Sequence, residues 1–175
     1  MTRTGPTSTS STPRPSAREV ILGRLGGVID DCGSAGFGVV EIDNLDASER
    51  FDGIAEGGAH ALARAHVERA HDSGSAIAQM NAAELTSIGH HNLGLDFAVT
   101  EECAAIDECD AYIGVYGVHV LGIEYPESLA KAGLELADVC ARDDRAPLTI
   151  LRDSDLVAGG ETGYSYESCP GEGNS

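Results

Sequence analysis

Two early segments place apolar residues at helical spacing. The first opens with a capping box, in which Ser16 and Glu19 cover free backbone N–H groups, and Gly33 is a natural stop. The apolar residues between them share one helical face: Val20, Ile21, Leu25, Val28 and Ile29. The second helix is predicted over residues 54–72, before Gly74, with its own apolar face: Leu62, Ala63, His66, Val67 and Ala70.

Five short apolar runs, rich in β-branched residues, predict strands. They cover residues 36–43, 75–81, 95–101, 117–125 and 146–152. A helix is expected around 126–139, a short helix at 104–114, and only a short connection between the second and third strands. Strands separated by crossovers form parallel β/α units, and continuous apolar strands predict that both faces of the sheet are buried. The chain of 175 residues therefore predicts one α/β domain.

Polar residues collect where four successive strands end. The carboxyl ends of parallel strands meet at one edge of the sheet, which is where (β/α) barrels carry their active sites. We expect a shared functional rim there, although solvated loop ends are also polar. Its candidates are Glu41, Asp43 and Asn44, then Gln79 and Asn81, then Glu101 and Glu102, and finally Glu124 and Tyr125.

The net charge of the chain disfavours some classes of binding partner. There are 29 acidic and 11 basic residues, which gives a net charge of −18, and Lys131 is the single lysine. Such a chain is repelled by phosphate backbones and by anionic lipid, so we expect no nucleic-acid partner and no membrane partner. A cationic partner suits this field, and general solubility in salty surroundings explains it equally well.

Two carboxylates at the rim suggest acid–base chemistry. Asp43 and Glu101 each close an apolar strand, and such a pair can cleave a glycosidic bond: one group protonates the leaving oxygen, and the other attacks carbon or activates water. Glu41 lies two positions before Asp43, so both side chains can point to the same side of the strand, and Asp46 lies just beyond in the loop. Loop capping or solubility would explain Glu41 and Asp46 equally well. The loop "DNLD" lacks the pattern of an EF-hand, and the histidine spacing does not favour a metal site.

The cysteines point to an oxidising compartment. None of the five forms a C-x-x-C pair, which disfavours structural zinc. The four in the second half suit two disulfides, with five reduced thiols as the alternative, and Cys32 is left over, either buried or lacking a partner. Residues 1–16 are rich in Ser, Thr and Pro, contain no apolar run of the secretory type, and predict a disordered tail.

Four segments, taken in order, carry a resemblance to a known family. "GFGVVEIDNLD", "AIAQMN", "LDFAVTEECAAIDECDAY" and "VLGIEY" resemble glycoside hydrolase family 114, across about residues 18–169. Its members are secreted endo-α-1,4-polygalactosaminidases with a (β/α) barrel, so the resemblance implies hydrolysis of a cationic amino-sugar polysaccharide without cofactor or metal. It also implies a secreted protein. Three residues depart from the family pattern: Ile42 replaces proline, Met80 replaces lysine and Thr100 replaces asparagine.

The resemblance also assigns roles to residues. It places the catalytic pair on Asp43 and Glu101, and it suggests the disulfides Cys103–Cys109 and Cys140–Cys169. The positions that it expects to line the sugar site are Glu41, Asn44, Asp46, Asn81, Glu124 and Tyr125.

The number of strands sets this chain apart from a full barrel. Eight strands take about 200–250 residues, whereas the five predicted here correspond to the family's fourth to eighth. We therefore expect an incomplete barrel over 17–169, a flexible tail over 170–175, and either an inactive single chain or a homodimer that covers the open barrel edge. Two other functions stay open: a non-catalytic carbohydrate-binding or vestigial module, and a (β/α) acid–base enzyme such as an isomerase.

Overall fold

The computed structural model describes residues 16–170, which form one open six-stranded sheet with helices packed on it. Five parallel strands follow one another in chain order: β1 (Val39–Ile42), β2 (Ala76–Met80), β3 (Phe97–Glu101), β4 (Val120–Glu124) and β5 (Leu148–Arg152). A sixth, β6 (Tyr166–Ser168), pairs antiparallel with β5. The predicted α/β class and the five parallel strands are confirmed, and the sheet does not close into a barrel. The two predicted tails, residues 1–16 and 170–175, lie outside the described residues except for Ser16 and Pro170.

The first helix, α1 (Ala17–Ser34), begins as predicted. The Ser16 hydroxyl accepts from the Glu19 backbone N–H, and the Glu19 carboxylate accepts from the Ser16 N–H. Its apolar face, however, is only partly covered. Ile29 is 7% exposed, whereas Leu25 and Val28 are 48% and 57% exposed, because no described element packs over them.

The second predicted helix is α3 (Glu56–Asp72), which a short helix α2 (Ala47–Arg50) precedes. Four of the five predicted core residues of α3 are buried: Ala63, His66, Val67 and Ala70. Arg69 joins α3 to α1 through an ion pair with Asp30. A side chain at Gly26 would lie 2.9 Å from the Arg69 stem, so this glycine permits the close helix contact.

The connection between β2 and β3 is longer and more ordered than the sequence predicts. A 3₁₀ turn (Ala83–Leu85), α4 (Thr86–Ile88) and a π-helical turn (Gly89–Leu93) fill it. Leu85, Leu93 and Leu95 bury against α3 and β2 in one of the two apolar cores. Their spacing matches no single helical period, which is why the pattern did not indicate these turns.

The second half of the chain differs from the prediction at two places. The helix expected over 126–139 is divided into α6 (Pro126–Ala132) and α7 (Leu136–Cys140). Gly133 separates them with a φ of 74°, a conformation that ends helices and favours glycine. The short helix expected at 104–114 lies slightly later, as α5 (Cys109–Tyr116).

The two faces of the sheet differ in burial, which corrects the expectation that both are buried. Side chains on the helix side, such as Ile77, Ala98 and Val120, are fully enclosed. Those of the opposite parity face outward, and Leu121 and Leu148 are 37% and 57% exposed. This outward face, called the open face below, corresponds to the lumen of a barrel that these strands do not close.

Two disulfides hold the second half together, in the pairing that the resemblance implies. Cys103–Cys109 closes the loop after β3, and Cys140–Cys169 ties the end of β6 to α7. Cys32 is a free, half-buried thiol at the end of α1. Over residues 16–170, helices fall short of the length and apolarity needed to cross a bilayer.

Candidate active site

The carboxyl ends of β1 to β5 bring together most of the predicted site residues. Glu41, Glu101 and Arg152 share the open-face parity of their strands, as the register of the parallel ladder requires. Asp43 directly follows β1, Asn81 follows β2, and Tyr125 follows β4. The site is therefore a row of side chains along one edge of the sheet.

Glu101 is the best-anchored carboxylate of this row. Asn81 donates from Nδ2 to Glu101 Oε2 at 3.1 Å, and the Tyr125 hydroxyl donates to Oε1. Burial, and then the neighbouring Glu101, raise the pKa of Tyr125, so its hydroxyl keeps the proton that it donates. Both oxygens of Glu101 are thus oriented by side chains from the two adjacent strand ends.

A buried network that the sequence did not reveal positions Asn81. Gln79 Nε2 donates to the carbonyls of Asn81 and Ala82 at 2.7 and 2.8 Å, and the Tyr116 hydroxyl donates to Gln79 Oε1 at 2.9 Å. Asn81 and Ala82 both have positive φ, 52° and 60°, a conformation that costs free energy in residues other than glycine. Gln79 compensates by fixing both carbonyls and so holds Asn81 against Glu101.

Asp43 is held by its own loop. The backbone N–H and the side-chain amide of Asn44 donate to the two Asp43 oxygens at 2.6 and 3.0 Å. Arg50 then donates to Asn44 at 2.9 Å and pairs with Asp46 at 3.5 Å. Asn44 and Asp46, both expected to line a sugar site, therefore also organise the loop that carries Asp43.

Glu41 lies within electrostatic reach of both predicted catalytic residues. Glu41 is exposed as a whole, but partial desolvation of its carboxyl group, followed by the charges of Asp43 and Glu101, raises the pKa of Glu41. The three carboxyl groups thus form one acidic cluster on the open face, in which Glu41 takes up a proton more readily than an isolated glutamate.

Glu124 occupies a different place from the one expected. It has the parity of Val120 and Gly122, so it points to the helix side and is 0% exposed. Its carboxylate accepts from the backbone N–H groups of Ala104 and Ala105 at 2.8 and 3.3 Å, and burial raises its pKa. Glu124 therefore fixes the disulfide-closed loop behind Glu101 and does not face the rim.

The rim is completed on the β5 side by Arg152, Asp153 and Tyr164. Arg152 lies at the end of β5 on the open face, its guanidinium stacks 5.2 Å from the centroid of the Tyr164 ring, and its charge acts on Tyr125. Asp153 accepts from the backbone N–H groups of Val157 and Ser165 at 2.7 and 3.1 Å. The strand "APLTILR" ends in this arginine, which was the sequence signal for a fifth rim position.

In the described part of the chain, one group of three side chains has the spacing of metal ligands, but it serves the structure of the protein. Cys103, Cys109 and Glu124 come within ligand distance of one another, but the two sulfurs are bonded in a disulfide. They offer no thiolate, so this trio does not make a metal site.

A parallel β/α sheet with carboxylates at its carboxyl edge is the arrangement found at the active-site end of (β/α) barrels. The sequence identifies the family within this fold class, because the family model for glycoside-hydrolase family GH114 matches residues 14–174. The chain belongs to that family.

A solved structure has the same fold. The crystal structure of Aspergillus fumigatus Ega3 in complex with galactosamine superposes with a TM-score of 0.62 at 22% sequence identity. The superposition covers 88% of this chain and 62% of Ega3, so this chain spans less than two thirds of that structure. No protein of curated function matches the sequence.

Proposed function

We propose that this chain carries the catalytic carboxylates of a glycoside hydrolase that cleaves α-1,4-linked galactosamine polymers. The observation that carries the proposal is the anchoring of Glu101 by Asn81 and Tyr125, beside Asp43 and Glu41. Family membership supports glycosidic chemistry. The sequence resemblance described above implies that Asp43 and Glu101 are the catalytic pair.

The chemistry requires two carboxyl groups on opposite sides of the scissile bond. One donates a proton to the leaving glycosidic oxygen, and the other attacks the anomeric carbon or activates water. Asp43 directly follows β1 and Glu101 ends β3, with β2 between the two strands. Glu101 has the open-face parity, and Asp43 is exposed, so a polymer has access to both. Their oxygens are held by Asn44, Asn81 and Tyr125, so little reorganisation is needed when substrate binds.

A cationic sugar suits this site. Galactosamine carries an ammonium group at neutral pH, and the cluster of Glu41, Asp43 and Glu101 offers three carboxyl groups to it. The charge of −18 would also concentrate a polycationic substrate near the protein. The galactosamine named in the Ega3 complex is consistent with this choice of substrate.

A second function, binding without cleavage, is favoured by one observation. The open face leaves Leu121 and Leu148 exposed, so the sheet lacks the wall that would enclose a sugar from the other side. A site that is open on one side binds a polymer but excludes water poorly, which weakens catalysis. The two functions share the same carboxylates and differ in turnover.

The deciding experiment measures cleavage and binding together. The full chain is incubated with purified polygalactosamine, release of reducing ends is followed, and binding is measured by calorimetry. Wild type is expected to release ends, and Asp43→Asn and Glu101→Gln are each expected to lower the rate by at least about 10³-fold while retaining binding. Asp72→Asn is the matched control, because Asp72 is exposed and ends α3 at the opposite edge of the sheet.

Each outcome has a distinct meaning. Binding without released ends establishes the binding module, and an active Asp43→Asn variant contradicts the assignment of the catalytic pair. Absence of both binding and cleavage contradicts both functions for this chain.

We also propose that the protein works outside the cytoplasm. The two disulfides, Cys103–Cys109 and Cys140–Cys169, are stable in an oxidising compartment and rare in a reducing one. Mass spectrometry of the culture medium of the producing organism should find the chain with four cysteines oxidised. Detection only inside the cells, with reduced cysteines, would contradict the proposal.

A further inference from the structure

A large apolar groove runs along the free edge of β1 and meets the carboxylate row at Glu41 and Asp43. It has a volume of about 900 Å³, and α1, β1 and the start of α3 form its walls. Ile21, Leu25 and Val28 of α1 face it on one side, and Leu62 of α3 lies on the other. Apolar walls beside an uncovered strand edge suit contact with another polypeptide surface.

The inner end of the groove contains an unsatisfied polar atom. His66 is 5% exposed and lines the groove, and its Nε2 has no hydrogen-bond partner among the described residues. Burial lowers the pKa of His66, so the ring is neutral and one of its nitrogens lacks a partner. A buried polar atom of this kind indicates that the packing around it is incomplete.

The edge of β1 also has free backbone groups. Gly38 accepts from Ala76 on the β2 side, and alternate residues of a strand face the same neighbour. The N–H and C=O groups of Val39 and Glu41 therefore point away from β2, into the groove. This pair of residues is a template for one more strand.

Residues 1–15 have a composition that does not suit that strand. A right-handed crossover through α1 would place a preceding strand beside β1, and Ser16 lies at the groove where the chain enters α1. Residues 1–15, however, contain three prolines, and Met1 is their only large apolar residue. That composition favours neither an apolar contact nor an inner strand.

We propose that a second copy of this chain occupies the groove, related by a two-fold axis that passes beside Val40. The two β1 strands pair antiparallel, with Val39 opposite Glu41 of the second copy and the two Val40 residues facing each other across the axis. Both Val39–Glu41 pairs then exchange two backbone hydrogen bonds, which satisfies the free groups of each edge. The α1 helices pack against each other and cover both grooves.

The composition of the groove favours a like partner. Six side chains that line it are between 39% and 64% exposed: Ile21, Leu25, Val28, Phe37, Val39 and Ile54. Together they expose apolar surface on the order of 500 Å², the size at which a patch marks a protein interface. The charged side chains lining the groove are Arg18, Glu41 and Asp43, so most of the surface that the two chains would bring together is uncharged.

The first test is the mass of the full chain by sedimentation velocity, in a Cys32→Ser background that excludes an intermolecular disulfide. Twice the chain mass of 18.1 kDa is expected at micromolar concentration. Val28→Glu should yield the single-chain mass, and the control Val118→Glu, also exposed but outside the groove, should leave the dimer intact. Circular dichroism verifies that each variant is folded.

A second pair of variants tests the register. Val39 faces Glu41 of the second copy across a direct strand pair, so Val39→Lys should tighten the dimer several-fold and Val39→Glu should weaken it about tenfold. Raising salt from 0.05 to 0.5 M should strengthen association, because it screens the repulsion between the two chains.

Three results would overturn the proposal. One is a single-chain mass at every concentration. Another is a dimer that survives Val28→Glu but is lost in Leu148→Glu, which would locate the contact on the open face. The third is equal weakening by Val39→Lys and Val39→Glu, which contradicts the strand pairing. None of these readouts uses catalysis, so they are independent of the proposed activity.

Discussion

Asn81 and Glu101 are joined by two reciprocal hydrogen bonds across neighbouring strand ends. The Asn81 side chain donates to Glu101 Oε2 at 3.1 Å, and the Glu101 backbone N–H donates to Asn81 Oδ1 at 2.8 Å. The same amide thus fixes both the backbone and the carboxylate of the predicted catalytic glutamate. This relationship makes Asn81 a positioning residue.

Replacing Asn81 should lower turnover with little change in substrate binding. Asn81→Ala removes both hydrogen bonds, and we expect kcat to fall about 10- to 100-fold because the Glu101 carboxylate loses its orientation. Asn81→Asp should be more severe, since it adds a negative charge against Glu101. Steady-state kinetics on the polymer separates kcat from KM, and a rise in KM alone would contradict a positioning role.

Glu41 should make stability depend on pH. Because its pKa is raised above the ordinary value of 4.5, the folded chain holds a proton that the unfolded chain has released. Stability is therefore lost as the pH rises from about 4.5 through the higher folded pKa. Glu41→Gln removes this loss, so its melting temperature should equal that of wild type near pH 4 and exceed it at pH 7.

The control for this comparison is Glu84→Gln, at an exposed carboxylate away from the acidic cluster. Its difference from wild type should be constant over the same pH range. A constant difference for Glu41→Gln as well would show that its carboxyl group does not feel Asp43 and Glu101.

Glu124 should matter for folding. Glu124→Ala leaves the buried N–H groups of Ala104 and Ala105 without their acceptor and opens a cavity, which costs about 2–4 kcal/mol of unfolding free energy. Glu124→Gln retains one acceptor oxygen and should cost less. Urea unfolding measures both, with the exposed Glu68→Ala as control; a neutral Glu124→Ala would refute the structural role.

The two disulfides should contribute unequally. They close separations of 29 and 6 residues, and the loop-entropy relation assigns about 3–4 kcal/mol to Cys140–Cys169 and about 2 kcal/mol to Cys103–Cys109. Paired serine variants, unfolded in urea, test this order. The reverse order would mean that burial of Cys103 and Cys109 outweighs loop length.

The sequence predicts most of the architecture because its signals are local. Ser16 and Glu19 define the start of α1, and apolar runs define the five parallel strands. The candidates Asp43 and Glu101 lie at the ends of two of these strands, as expected from the same runs. The start of a helix, or the end of an apolar run, depends on a few adjacent residues, so it can be found without tertiary information.

What the sequence does not predict depends on contacts between distant residues. The run that contains Glu124 is apolar on both parities, so nothing local indicates which side the carboxylate takes. Gln79 becomes important only through Tyr116, which lies 37 positions away. The strand β6 has three exposed residues, and pairing with β5 alone defines it. Helix α1 follows the predicted pattern, yet its apolar stripe is exposed.

The two edges of the sheet differ in whether they allow further copies of the chain to be added by strand pairing. At the far edge, β6 runs against the direction of β5, ends after three residues, and is followed at once by the bridged Cys169 and by Pro170. A ribbon with two receptive edges could recruit copy after copy into a filament. Among the described residues β1 alone offers a receptive edge. In the proposed dimer each copy uses that edge for the other, so strand pairing would not add a third copy.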